Sequence, residues 1–284
     1  MAQVRSKNFG LVKFSIPSGP IYIQIKKLIS ENKLTTVCTE AKCPNIGECF
    51  SRGRATFLIL GSICTRNCLY CSIDHGQPKD LDLAEPHKVA TAISDLKIKH
   101  AVITSVTRDD LFDGGANHFA KTITLIKEYN PLCRVEVLIP DFGDRMSENL
   151  GIIIKAKPDI INHNIETVKS LFTKLRPAGN YQLSLDLIKM IRDFNLVAKS
   201  GLMIGFGEKK SEIKETLKDL IQAGCQILTI GQYLQSAKKN YPVKKYYSLE
   251  EFAYLKEMAE DLGFEKVSAA PKVRSSYQAE DVFC

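Results

Sequence analysis

Residues 56–71 read Thr56-Phe57-Leu58-Ile59-Leu60-Gly61-Ser62-Ile63-Cys64-Thr65-Arg66-Asn67-Cys68-Leu69-Tyr70-Cys71. Thr56 to Leu60 is a short apolar and β-branched run, the pattern of a buried strand. Gly61 ends the run, and cysteines spaced C-x3-C-x2-C follow at once. Thiolates this close together suit soft metals and iron–sulfur clusters. Parallel α/β folds present their reactive groups in this way, at the carboxyl ends of strands.

The same unit recurs downstream. Apolar runs at Thr56–Leu60, His100–Ser105, Arg134–Ile139, Asp159–His163, Val197–Ile204 and Gln226–Ile230 predict strands. Amphipathic stretches at Glu85–Lys97, Asn117–Tyr129, Met146–Lys155, Leu183–Phe194 and Ser211–Ala223 predict the helices between them. Such alternation argues for parallel strands joined by helical crossovers. Six units are too few for a closed eight-stranded barrel, so the expected architecture is an open or partial (β/α)6 barrel. The unusual residues each follow a predicted strand: the cysteine triplet, Asp113-Gly114-Gly115, Pro140-Asp141, Asn164-Ile165-Glu166, Gly205-Phe206-Gly207-Glu208 and Gln232. They are therefore expected to converge on one mouth. The expected division is an N-terminal extension (1–54), the barrel (55–245) and a C-terminal extension (246–284), with the extensions folded over that mouth.

A second triplet lies upstream, where Cys38, Cys43 and Cys49 read C-x4-C-x5-C. Each triplet is one ligand short of a four-thiolate cage, so one iron of each cluster must take something else. Structural zinc fits poorly, because only Cys68 and Cys71 form a C-x2-C knuckle and His75 could complete at most one site. Disulfides fit worse, because the chain opens Met-Ala-Gln-Val-Arg without an apolar signal segment, and a reducing, cytoplasmic setting is expected. Cys133, Cys225 and Cys284 match no ligand spacing and read as packing or surface thiols.

The Cys64–Cys71 loop, with the aromatic Tyr70 before its last cysteine, resembles the cluster loop of the radical S-adenosylmethionine superfamily. In that superfamily three cysteines hold a [4Fe–4S] cluster whose fourth iron chelates S-adenosylmethionine, on a six-stranded partial barrel. The upstream triplet and Arg274-Ser275-Ser276-Tyr277 narrow the resemblance to the lipoyl synthase family. It runs from about Pro17 to Tyr277 and takes in Leu175-Arg176-Pro177 and the segments 104–115, 162–167 and 228–235. The resemblance implies a second, auxiliary [4Fe–4S] cluster on Cys38, Cys43 and Cys49, with Ser276 as its fourth ligand. Serine oxygen is a poor iron ligand beside thiolate, so that bond should be labile.

The resemblance also implies contacts to S-adenosylmethionine. Asp113-Gly114-Gly115 is similar to the glycine-rich segment that meets the methionine amino group. Asn164 and Glu166 lie in a segment matching the family's H-N-I-E-T, and Arg176 has the planar fork that pairs with a carboxylate. Gly205 to Glu208 resembles a backbone segment near the adenine. The implied reaction inserts sulfur at carbons six and eight of an octanoyl chain on a carrier-domain lysine. It uses two S-adenosylmethionine and sulfur from the auxiliary cluster. Implied partners are octanoylated lipoyl domains (2-oxoacid dehydrogenase E2 subunits, glycine cleavage H protein), a flavodoxin or ferredoxin, and an iron–sulfur carrier. The chain departs from the family at Gln235-Ser236, where Q-P is usual, and at Asn240, where a histidine is usual. Phe50 replaces a common tryptophan.

Composition agrees. Hydrophobic content of 44% and charged content of 25% are those of an ordinary globular protein. No apolar run approaches a membrane span. The net charge of +7 gathers at Lys209-Lys210, Lys238-Lys239 and Lys244-Lys245, either a solvated surface or a dock for an acidic partner. A methylthiotransferase-like radical enzyme would append a nucleic-acid module, and none is expected after Tyr277. A zinc-stabilised, nucleic-acid-binding basic protein is the reading of another class; no arginine-aromatic pattern supports it.

Overall fold

The structure, a computed structural model, describes residues 18–277 and 279–280. Cys284 lies outside the described residues. In chain order the strands are β1 (Thr56–Ile59), β2 (Ile63–Cys64), β3 (Asp74–His75), β4 (His100–Ser105), β5 (Arg134–Leu138), β6 (Ile160–Asn162), β7 (Val197–Ile204), β8 (Ile227–Gln232) and β9 (Lys266–Ala270). Seven of them form one all-parallel sheet in the order β1-β4-β5-β6-β7-β8-β9, and the short β2–β3 pair stands apart. Parallel neighbours need a crossover of a dozen or more residues. Helices α4 (Glu85–Asp95), α5 (Ala116–Tyr129), α6 (Met146–Lys155), α7 (Lys169–Leu175), α8 (Tyr181–Asp193), α9 (Lys210–Gln222) and α10 (Leu249–Asp261) supply these.

Local chemistry sets the helix starts. Asn180 accepts from the Leu183 amide at the head of α8, and Ser248 with Glu251 forms a reciprocal capping box on α10. Pro86 stands in the first turn of α4, where its missing N–H costs nothing. Isoleucines and valines of the strands, among them Ile103, Val135, Val137, Ile161 and Ile204, are fully buried beneath the helices.

All six predicted strands are present, and β9 adds a seventh after α10. Part of the segment beyond residue 245 is therefore sheet as well as cover. Thr56, Val102, Thr104, Leu138, Gly201 and Thr229, from five of the strands, line one cavity, so the sheet curves around a lumen as a partial barrel. On β4 the lining residues His100, Val102 and Thr104 alternate, as one face of a strand must. An ion cluster buried within the sheet joins Lys199 to Glu136 at 2.8 Å, with His100 3.2 Å and Asn162 3.3 Å from the same carboxylate. Among the described residues no helix is long and apolar enough to cross a membrane.

The N-terminal segment carries α1 (Pro20–Glu31), α2 (Val37–Glu40) and α3 (Ile46–Ser51). It lies along the β1 edge, where Leu58 donates to the Thr35 carbonyl at 2.9 Å and Thr36 bridges Phe57. That covers a strand edge otherwise open to pairing. Phe50, at the tryptophan position, is buried with Ile25 and packs 5.8 Å from Tyr22.

Candidate metal and cofactor site

The lumen is a cavity of about 900 Å³. Cys38, Cys43, Cys49, Tyr70, Cys71, Asn164, Glu166 and Ser276 all line it, so most of the sequence-predicted site residues meet there. Cys64, Cys68 and Arg176 are not in its lining but stay within electrostatic reach. Cys64 and Cys68 act on Cys71, and Arg176 acts on Cys68.

The loop of the second triplet is anchored on every side. Cys64 pairs with His75 across β2–β3. Leu69 donates to Leu175 O at 2.9 Å and receives from Tyr241 N at 2.8 Å. Arg66, inside the C-x3-C step, makes two-point contacts with both Asp141 (2.7 Å) and Asp109 (2.8 Å), tying the loop to the ends of β4 and β5. Arg66 was not singled out from the sequence, and Asp141 was noted only for its position. The paired guanidinium offsets the burial of Asp141 and holds its carboxyl down at about 2.

Two of the residues that depart from the family, Ser236 and Asn240, meet at this loop. Asn240 donates to the Cys71 carbonyl at 2.6 Å, and Ser72 bonds both Ser236 and Asn240. Tyr70 packs near Phe206, which stacks on Tyr233 with centroids 4.3 Å apart. Glu208 accepts from the Gly205 and Phe206 amides, and Gln232, the last residue of β8, bonds three backbone carbonyls around Gly205. These two side chains therefore shape the loop after β7.

The first triplet is closed by the far end of the chain. Tyr277 donates to Glu48 at 2.9 Å, Asn45 donates to Lys272 O at 2.7 Å, and Arg54 pairs with Glu280. The tail passes over β8 at Gly231, where a Cβ would stand 2.1 Å from the Val273 carbonyl, so only glycine fits. The adjacent serines then part company. Ser275 receives from Asn164 at 2.8 Å, whereas Ser276 lines the cavity and makes no hydrogen bond among the described residues. Arg274 stands within electrostatic reach of Cys43, and Tyr277 of Cys49.

The donor set fits clusters. Burial first, and neighbouring thiols second, push Cys38 up to about 11 and Cys49 and Cys71 up to about 12. Sulfurs that resist ionisation this way become thiolates when a cation sits among them, releasing protons as it binds. Among the described residues no three His, Cys, Asp or Glu side chains close on a single ion; a four-iron cube is wider than one ion and takes its thiolates further apart. The cofactor side fits too. Asn164 Oδ1 and Arg176 Nε are buried without a hydrogen-bond partner, a cost of about 1–3 kcal/mol each that a polar ligand would relieve. Burial raises the Glu166 carboxyl against the pull of Arg176.

Asp113, Gly114 and Gly115 are not brought to the cavity wall. The Asp113 carboxylate caps α5, accepting from Gly115 N at 3.0 Å and Asn117 N at 2.9 Å. Gly115, at φ +88°, packs so closely on Leu60 that a Cβ would lie 2.3 Å from its Cδ1. Cys133 and Cys225 are buried packing thiols.

Comparisons with known proteins give the family. Residues 58–220 match the radical SAM superfamily. The chain is 49% identical to lipoyl synthase of Bacteroides fragilis (strain YCH46), covering 95% of this chain and 93% of that one. It is also 49% identical to lipoyl synthase of Caldicellulosiruptor saccharolyticus, covering 98% of each. Among solved structures, methylornithine synthase superposes with a TM-score of 0.52 at 12% identity over 92% of this chain and 84% of that one. The FeFe-hydrogenase maturase HydG from Carboxydothermus hydrogenoformans gives 0.53 at 18% identity over 77% and 60%; at such identities the likeness is one of fold alone. With this barrel, both cysteine triplets, a serine in the same cavity and identity along nearly its whole length, the chain belongs to the lipoyl synthase family of the radical S-adenosylmethionine superfamily.

Proposed function

We propose that the two triplets divide the work of a lipoyl synthase within one lumen. The enzyme is a radical sulfurtransferase that uses S-adenosylmethionine and [4Fe–4S] clusters and acts on a lipoyl carrier protein. Cys64, Cys68 and Cys71 would hold the radical-generating cluster, and Tyr70, Asn164, Glu166 and Arg176 would receive S-adenosylmethionine beside it, while Asp113, Gly114 and Gly115, which stand off the cavity wall, would act from behind by fixing the start of α5. When bound, this pair supplies the carbon radical that removes hydrogen from an unactivated C–H bond. The protein's part is position and exclusion of water. Arg66 and Asn240 hold the cysteine loop, Asn164 and Arg176 offer unpaired polar atoms, and Val102, Leu138 and Met203 keep the lumen apolar.

Cys38, Cys43, Cys49 and Ser276 would hold the second cluster, which is a substrate: it gives up sulfur and is consumed. The observation that carries this assignment is the pair of serines. Ser275 is committed to Asn164, and Ser276 is left facing the cavity shared with all three cysteines and Cys71. A loosely held oxygen ligand releases its iron more readily than a thiolate would.

The division into a donor-site segment (1–54), a radical barrel (55–245) and a C-terminal segment (246–284) belongs to this proposal. So do octanoylated E2 subunits and glycine cleavage H protein as carriers, a flavodoxin or ferredoxin as reductant, an iron–sulfur carrier for rebuilding, and a cytoplasmic setting without membrane or nucleic-acid partners. The test is anaerobic incubation with an octanoyl-lysine peptide and S-adenosylmethionine, followed by mass analysis. Addition of two sulfurs is expected; cofactor cleavage without any thiolated product would remove the sulfur-donor assignment.

A further inference from the structure

Exposed residues stand in the cavity lining at both ends of the sheet. At the carboxyl ends the lumen passes the exposed Gln235. At the amino ends its lining includes Arg52, Ala55 and Thr56, up to the first residue of β1, and Leu96 to His100, up to the first residue of β4. Since Thr56 pairs in register with Val102, these two stretches are neighbours at the foot of the barrel.

The foot is cationic. Lys97 and Lys99 are exposed there and line the cavity, as do Lys42 and Arg52 of the N-terminal segment, the latter paired with Glu48 at 3.6 Å. Lys42, Lys97 and Lys99 have no ion pair among the described residues, and the one acid lining the cavity nearby, Glu280, is taken by Arg54. The lysines at the other end are partly engaged and do not line the cavity: Lys245 pairs with Glu251 at 2.6 Å, and Lys244 lies over Tyr241. Behind the cationic rim the wall turns apolar at Ile98, Val102, Leu138 and Leu202.

We propose that the foot is the docking surface for an acidic carrier domain, whose acylated lysine threads up the lumen toward Cys71. This rests on the lipoyl synthase reading above. Charge selects the domain, and the apolar bore selects the acyl chain. Length agrees. Four strand steps from His100 to Thr104 span roughly 14 Å, and an extended arm of about a dozen single bonds of roughly 1.5 Å reaches about 15 Å. Docking at the foot leaves the mouth free for S-adenosylmethionine.

The test compares the reconstituted full chain with Lys97→Glu/Lys99→Glu and with Lys238→Glu/Lys239→Glu. Two substrates are used, an octanoylated acidic carrier domain and a short octanoyl-lysine peptide, and domain binding is also measured by calorimetry without turnover. Lys97→Glu/Lys99→Glu should weaken domain binding and raise its KM about tenfold or more, leave the peptide within twofold, and flatten the salt dependence of domain binding. Lys238→Glu/Lys239→Glu should change neither substrate. Domain binding indifferent to Lys97 and Lys99, or lost instead in the 238/239 variant, overturns the docking surface. A wild-type enzyme that thiolates neither substrate, yet binds the domain through Lys97 and Lys99, overturns the reaction and leaves the docking surface standing.

Discussion

The side-chain amide of Asn240 holds the backbone carbonyl of Cys71 at 2.6 Å, across 169 residues of sequence. Asn240 is itself buried, so the bond is shielded from competing water. It fixes the last cysteine of the C-x3-C-x2-C loop from a segment far along the chain. Asn240→Ala should keep its iron and its fold but cleave S-adenosylmethionine about fivefold more slowly, since one buried hydrogen bond is worth about 1 kcal/mol and each ~1.4 kcal/mol is a factor of ten. Deoxyadenosine formation measures this; an unchanged rate would mean that the loop is held without Asn240.

Anaerobic reconstitution should give about eight irons per chain, as two four-iron clusters require. Replacing Cys64, Cys68 and Cys71 together by alanine should leave roughly half the iron and abolish both cofactor cleavage and thiolation. Replacing Cys38, Cys43 and Cys49 should also halve the iron but spare some cleavage, with no thiolated product. Loss of all iron from either triple variant would refute two independent sites.

The two serines should behave differently although they are adjacent. Ser276→Cys should give a sturdier first-triplet cluster that transfers sulfur poorly, because thiolate binds iron better than serine oxygen does. Ser275→Ala should keep the iron of that cluster and mainly loosen the tail from Asn164. Normal lipoyl formation by Ser276→Cys would sink the requirement for a labile oxygen.

His163 gives the fold an acid sensitivity. Its Nδ1 donates to the Ile139 carbonyl at 2.8 Å, Nε2 lies 3.0 Å from Ser184, and burial holds its pKa down at about 4. Between pH 4 and about 6.5 the unfolded chain binds a proton that the folded chain refuses, so stability rises with pH across that window and is lost on acidification. Lowering the pH from 7 to 5 should cost about 2 kcal/mol through this residue. Guanidinium unfolding of wild type and His163→Gln at both pH values measures it; equal pH slopes would contradict the assignment.

Lys199 and Glu136 form an ion pair buried to about 1% exposure or less. Burial opposes the charge on Glu136, and the ammonium of Lys199 outweighs it, so the carboxyl is held below its ordinary range. Lys199→Met should destabilise by about 3–5 kcal/mol because it strands a buried carboxylate. Adding Glu136→Leu should recover most of that loss, as read from denaturation midpoints.

What could be read from the sequence followed local pattern. Val197–Ile204 and Met146–Lys155 match their predicted bounds because continuous burial, or one apolar stripe, marks them. β9 escaped: Lys266-Val267-Ser268-Ala269-Ala270 is an edge strand with no fully buried residue, so neither alternation nor an apolar run announces it. The cysteine spacings supplied the candidate ligands. The supports did not announce themselves, because Arg66–Asp141 and Ser275–Asn164 join residues 75 and 111 positions apart. Gly231 looks ordinary until the Val273 carbonyl is laid across it.

The clasp between Glu48 and Tyr277 joins residues 229 positions apart, and that between Asn45 and Lys272 joins residues 227 apart. Chains are made from the amino end, at about 5–20 residues per second. Cys38, Cys43 and Cys49 therefore leave the ribosome some ten seconds or more before Ser276 exists. The proposed donor site cannot be finished during synthesis, whatever iron is at hand. Its completion reports that translation has run through the whole barrel, and a chain cut short before the tail displays three thiols without the oxygen that closes their site.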